Sequence, residues 1–204
     1  MKDRQTKITA SAGLAVGAVF GMAGTFAPSA SMRGLLWGID GIGLVLATAL
    51  LSLYFFRKGQ EFVAAGFLVF AIGEGVLLSG VGMDLNASSP SFGAGSSMWA
   101  AALVLISSSA VFPVVVRLLG FAAAALFAAT SLQIFSGIVI LPNSSPLPFY
   151  AYPVFVAAIF GWIWVLLKEL LNFLVVFFEN PGLSGGLLSA RNFGIPPVRS
   201  VPPA

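Results

Sequence analysis

The sequence predicts an all-α fold, a polytopic transmembrane helical bundle with six spans. Charged residues make up 8% of the 204 residues, against about 25% in an ordinary soluble domain. Mean hydropathy is +1.00, and 58% of the residues are hydrophobic. Apolar runs recur along the chain at close to the roughly 20 residues that a helix needs to cross the hydrocarbon core. A soluble domain of this size could not hide so much apolar surface from water.

The apolar runs are separated by charges, prolines and clusters of Ser, Asn and Gly, which mark the ends of spans. All of them fall within one predicted transmembrane domain, residues 1–179. The predicted spans cover about residues 8–27, 34–56, 61–83, 97–116, 118–140 and 149–167.

Basic residues set the predicted orientation, because Lys and Arg concentrate on the cytoplasmic side of a membrane. Seven basic residues next to the spans fall on one predicted side of the membrane: Lys2, Arg4, Lys7, Arg57, Lys58, Arg117 and Lys168. Arg33 is the exception, because it falls on the other side. We therefore expect both termini in the cytoplasm (N-in, C-in) and a bacterial inner (plasma) membrane as the location. Tyr150 and Tyr152 suit the aromatic belt at the outer surface.

The first span carries Gly13, Gly17 and Gly21, one glycine every fourth residue on a single helix face. Such a glycine stripe lets another helix approach closely in lipid. It predicts a packing face, either within the bundle or between two copies of the chain. A cleaved signal peptide is the alternative for this segment, since a basic start precedes it and small residues follow it, but Pro28 makes a poor cleavage context.

The last apolar run continues beyond Lys168 and is too long for one upright span. A single helix over residues 147–178 would measure about 48 Å, against a hydrocarbon core of about 30 Å. We expect residues 170–179 to form a short interfacial helix along the inner leaflet. Residues 180–204 are rich in Pro, Gly and Ser and predict a disordered tail.

Proline in the predicted fourth span, Pro113, lacks a backbone N–H and leaves the carbonyl of Ser109 without its helical donor. A kink is expected there. In a protein that changes shape, this position would serve as a hinge.

Three polar residues interrupt the spans at similar predicted depths: Glu74 in FAIGEGVLLSG, Asp40 and Gln133. We expect them to share one layer in the outer half of the membrane. An ionised carboxylate there costs about 2.5–3.5 kcal/mol, so protonation is expected unless a cation pairs with it. The nearest candidate cation, Arg33, lies too far along the helix from Asp40 for a direct bond.

The absence of Cys and His from the sequence excludes disulfides, the usual zinc sites and His-ligated haem. We expect no metal and no cofactor. The basic residues are scattered singly despite a net charge of +3, which argues against nucleic acid as a partner. The expected partner is the lipid bilayer, and the charge-poor loops predict a protein that is not an enzyme.

Two functions fit this composition. The favoured one is a scaffold or accessory subunit that acts through helix association, as a homo-oligomer or with a membrane partner. The alternative is a small proton-coupled transporter or carrier, with Glu74, Asp40 and Gln133 as its proton or substrate site and Pro113 as its hinge.

Overall fold

The computed structural model describes the backbone of residues 2–179 and the side chains of residues 3–168, and all its regular structure is helical. The helices are α1 (Lys2–Thr25), α2 (Ala30–Arg57), α3 (Glu61–Ser79), α4 (Ser89–Ser108), α5 (Val114–Phe135) and α6 (Ala151–Glu179). Each is long and apolar enough to cross a membrane, with window hydropathies from 1.2 to 2.0. The all-α class and the six candidate spans are confirmed, whereas the side on which the termini lie stays a prediction.

The chain divides into two compact units, Met1–Leu167 and Lys168–Ala204, and only the first is described in detail. The backbone of residues 170–179 is helical and belongs to α6. Its predicted position along the membrane surface stays a prediction. The predicted disordered tail, residues 180–204, lies outside the described residues.

Helices that follow one another in sequence pack together in the first unit, from α1 against α2 to α4 against α5. Aromatic rings of α3 to α6 fill the centre of the bundle. Phe70 stacks on Trp99 with a centroid separation of 5.4 Å, and Trp162 meets the edge of Phe67 at 5.2 Å.

Large apolar side chains also cover the outside, as lipid-facing surfaces require. Examples are Leu46, Leu53, Phe56, Phe62, Leu118 and Val115.

The two ends of the bundle differ in chemistry. At one end, here called the basic end, α1 begins and α2 meets α3. There Lys58 forms an ion pair of 2.8 Å with Asp3, and Lys7 and Lys58 each lie 5.7 Å from the ring centroid of Tyr54. The other end, where α2 begins and α3 ends, contains the cavity described below and is called the cavity end.

The predicted fourth span is displaced along the sequence: it was placed at 97–116, and α4 covers Ser89–Ser108. The Ser- and Gly-rich segment before residue 97 looked like a loop but is helical. Pro90 lies in the first turn, where its missing N–H costs nothing. Ser91, Ser96 and Ser97 donate their hydroxyls to carbonyls three residues earlier, so these polar side chains are satisfied inside the helix.

The predicted kink at Pro113 is wrong, because Pro113 lies between two helices. It is exposed and occupies the N-cap position of α5, after α4 has ended at Ser108. Arg117 of α5 supplies hydrogen-bond donors to carbonyl groups at the C-terminus of α4. Its Nε donates to the Ser107 carbonyl at 2.7 Å and its guanidinium to the Ser108 carbonyl at 3.3 Å. The hinge role of Pro113 stays a prediction, now at a helix boundary.

Candidate functional site

A cavity of about 60 Å³, measured as space open to the centre of a water molecule, lies at the cavity end of the bundle. Four helices contribute to its wall: α2, α3, α4 and α6. The segment after α3, residues 80–88, and Pro142 complete the lining. Trp37 is partly exposed and Met83 is 53% exposed, so the cavity communicates with the surface at this end.

Helical spacing explains how these side chains come to line one cavity. Trp37 and Asp40 are three residues apart on α2 and therefore share a face, as do Glu74 and Leu77 on α3. The segment between α5 and α6 is held in place by the Ser89 hydroxyl of α4, which donates to the Ile140 carbonyl at 3.3 Å. The site is therefore built on helices, with one side-chain bond securing the loop next to Pro142.

The two acidic residues of the cavity are both more than nine-tenths buried. Asp40 is 9% exposed and Glu74 is 3% exposed. One oxygen of each, Oδ1 of Asp40 and Oε2 of Glu74, has no hydrogen-bond partner. Among the residues that the structure describes, neither acid has an ion-pair partner. Such groups are costly in a low-dielectric interior unless something neutralises them.

Trp99 of α4 brings an indole N–H to the same place. The side chain is 3% exposed and lies beside Glu74, but its Nε1 makes no hydrogen bond of good geometry. A donor and an acceptor are therefore both unsatisfied at one cavity wall. Water or a ligand is the usual partner for such groups.

The nearest cation, Arg33, is occupied elsewhere. Its guanidinium carbon lies 5.9 Å from the ring centroid of Trp37, in a cation–π contact. The indole N–H of Trp37 in turn donates to the Gly21 carbonyl at 3.3 Å. As the sequence predicts, Arg33 does not pair directly with Asp40.

The glycine stripe of α1 packs against α2 of the same chain. A Cβ atom on Gly13 would lie 2.8 Å from the Gly43 carbonyl oxygen, and one on Gly17 would overlap the side chain of Leu44. A Cβ on Gly21 would lie 2.8 Å from Oδ2 of Asp40. The stripe therefore serves packing within the bundle, and its last glycine makes room for one of the two acids.

The third predicted site residue, Gln133, does not line this cavity. It is half-buried near the end of α5, which ends at Phe135, five residues before the predicted end. Its estimated depth was therefore wrong. Tyr152, in the first turn of α6, occupies the position in the cavity wall that Gln133 was expected to take. The structure thus brings together Asp40 and Glu74 and leaves Gln133 out.

Sequence reasoning missed six polar or aromatic residues of the cavity: Trp37, Ser88, Ser91, Phe92, Trp99 and Tyr152. Tyr152 was interpreted only as an interfacial anchor. The two serines and Trp99 were hidden by the misplacement of α4. Correct placement of Pro90 in a first helical turn would have brought Trp99 to the depth of the acids.

No family model, no curated protein and no solved structure matches this chain. The chemistry of the cavity therefore has to indicate what the protein does. Within the described residues, no three His, Cys, Asp or Glu side chains come together as metal ligands would. Two carboxyl groups without an ion-pair partner in one cavity can bind protons, or can bind a cation in their place.

Proposed function

We propose that this protein is a small membrane carrier in which Asp40 and Glu74 bind and release protons as a solute enters and leaves the cavity. The observation that carries the proposal is the pair itself: two acids in one cavity, both more than nine-tenths buried, each with an oxygen that lacks a partner. Ionisable residues in membrane spans are costly, and they commonly mark ion or substrate pathways.

Among the residues whose side chains are described, the elements packed around the two acids place no cation in an ion pair with either of them. Toward Asp40, α1 presents Gly17 and Gly21. α4 contributes Trp99 and α6 contributes the phenol of Tyr152, while Arg33 of α2 is engaged with Trp37. The neutralising species must therefore come from solution, as a proton or as a bound cation. Exchange of a bound proton for a bound cation at the same carboxylates is the physical basis of proton-coupled transport.

The association hypothesis loses its main support, because α2 covers the glycine stripe. A scaffold role would need another face of the bundle, and the exposed apolar side chains of the described residues are of the kind that lipid covers. We propose further that the protein acts in a bacterial inner membrane with both termini in the cytoplasm, as the distribution of Lys and Arg favours, and without enzymatic activity. The cavity would then open to the outer side.

The experiment uses purified protein in liposomes with a trapped pH-sensitive dye. A pH gradient is imposed, and single solutes are added from a panel that includes a permanently charged ammonium ion, an amino acid, a sugar and a carboxylate. We expect at least one solute to speed dissipation of the gradient with the wild-type protein. Asp40→Asn and Glu74→Gln should abolish that effect.

Matched controls are available at exposed acids of the same kind. Glu61→Gln changes a carboxyl on the same helix as Glu74 but at the basic end. Asp84→Asn changes an exposed carboxyl near the cavity and keeps the Oδ1 atom that accepts from the Asn86 N–H at 2.9 Å. Both controls should behave as wild type. If no solute changes the rate, or if Asp40→Asn and Glu74→Gln transport normally, the proposal is wrong.

A further inference from the structure

We infer that the solute bound by this cavity is a small monovalent organic ammonium ion. The inference rests on the proposed function and names its substrate class. Four features of the wall support it: the sign of the charge, the hydroxyl oxygens, the aromatic side chains and the available volume.

The charge of the wall favours a cation. Asp40 and Glu74 together offer up to two negative charges, and no cationic side chain points to either among the described residues. One monovalent cation together with one remaining proton would leave the pair neutral. An anionic solute would add a third negative charge in a site that water can hardly screen.

The hydroxyl groups of the wall also favour a cation. Ser88 and Ser91 line the cavity, and each donates its hydroxyl hydrogen to a backbone carbonyl, of Leu85 at 2.9 Å and of Ser88 at 2.8 Å. Their oxygens are left with lone pairs to accept from a ligand. Apart from the Trp99 indole and the Tyr152 phenol, these polar side chains offer acceptors, which is what an N–H or N–CH₃ cation requires.

The rest of the wall is aromatic, with Trp37, Phe92, Trp99 and Tyr152 around the acids. Aromatic rings next to a carboxylate are a recognised arrangement for organic ammonium ions, since the ring quadrupole attracts a weakly hydrated cation. The Arg33 guanidinium already occupies Trp37, so the rings available to an ammonium ion are Phe92, Trp99 and Tyr152. Hard metal ions are usually held by several acidic side chains that converge on one point, and no three such side chains come together among the described residues.

The volume limits the size of the ion. About 60 Å³ of space for water centres corresponds to roughly four water molecules. That suits ions between methylammonium and tetramethylammonium in size.

Tetramethylammonium is the sharpest probe, because its permanent charge prevents it from crossing lipid as a free base. Binding is measured in lipid nanodiscs by tryptophan fluorescence at constant ionic strength, using tetramethylammonium, sodium and potassium in separate titrations. We expect saturable binding of tetramethylammonium that weakens as pH falls, because protons compete for the same oxygens. Glu74→Gln should weaken binding about tenfold or more, and Asp84→Asn should leave it unchanged.

A variant that keeps both acids separates ligand recognition from folding. Trp99→Phe removes the indole N–H but retains a ring, so we expect weaker binding with the same pH dependence. Circular dichroism and size-exclusion chromatography check that each variant is folded. Binding of sodium or potassium as tight as that of tetramethylammonium would overturn the inference in favour of an alkali-cation site.

The transport assay distinguishes the two levels of failure. If tetramethylammonium neither binds nor dissipates the pH gradient but another solute does so through Asp40 and Glu74, the ammonium inference is wrong and the carrier proposal stands. If no solute acts through these residues, both are wrong.

Discussion

The carboxylate of Asp40 lies against the backbone of Gly21, so that a single added methyl group on Gly21 would come within 2.8 Å of Oδ2. This contact links the glycine stripe of α1 to the proposed binding cavity. The absence of a side chain at Gly21 of α1 therefore leaves the space that the Asp40 carboxylate of α2 occupies.

Gly21→Ala should therefore destabilise the protein by about 1–3 kcal/mol, the usual cost of overpacking. Gly38→Ala is the matched control, because a Cβ there has nothing within 4 Å. Thermal unfolding in detergent measures both. In an Asp40→Ala background the cost of Gly21→Ala should shrink, because the clashing carboxylate is gone. An equal cost in the two backgrounds would place the clash elsewhere.

Gly13→Leu tests whether the stripe packs within one chain or between copies. The Gly43 carbonyl oxygen lies 2.8 Å from the site of a new Cβ and belongs to the backbone, so it cannot rotate away. We expect a clear loss of thermal stability with no change in oligomeric state, measured by size-exclusion chromatography with light scattering. Gly75→Leu, at a position with open space, should have little effect. A fully stable Gly13→Leu protein with altered self-association would revive the association hypothesis.

The Asp3–Lys58 ion pair at the basic end gives a small pH dependence of known sign. The hydrogen bond and the charge of Asp3 raise the pKa of Lys58 above its usual 10.5. While Asp3 is ionised, the pair contributes its full stabilisation below pH 10.5 and loses it as the pH rises through the higher folded-state pKa of Lys58. Because both groups are exposed, salt should screen the effect.

Asp3→Asn is the test of that ion pair. The melting temperature should fall slightly at pH 8 and low salt, and the difference from wild type should vanish at high salt or above the pKa of Lys58. A difference that persists at high salt would mean that Asp3 acts through something other than its charge.

Arg117 is expected to hold the end of α4 through its two carbonyl contacts. Arg117→Met should destabilise the protein by about 1.5 kcal/mol, the low end for hydrogen bonds from a charged donor, because the side chain is only partly buried. Arg117→Lys should recover little, since Lys cannot reach two carbonyls in a fixed fork. Denaturant or thermal unfolding measures both changes. Arg57→Met, at an exposed position, is the control.

The sequence was sufficient for the helical class and the spans because lipid imposes a length and a polarity on every crossing segment. It also indicated that Asp40 and Glu74 lie close together, although α2 begins at Ala30 and not at residue 34, and α3 ends at Ser79 and not at residue 83. Gln133 failed because the apolar run continues past Phe135 into a connecting segment, so its depth was counted from the wrong residue. Trp99 was missed because serines bonded to their own helix are indistinguishable, in sequence, from loop serines.

The aromatic core beneath the cavity has an electrical consequence. Beyond the cavity, the rings of Phe70, Phe155 and Trp162 pack against one another in the centre of the bundle, and none of them lines the cavity. In a polarised membrane, voltage falls across insulating layers and hardly at all across water. Most of the membrane potential would therefore drop across these rings, and a charge leaving the cavity inward would cross nearly the whole field, about 2.3 kcal/mol for each 100 mV.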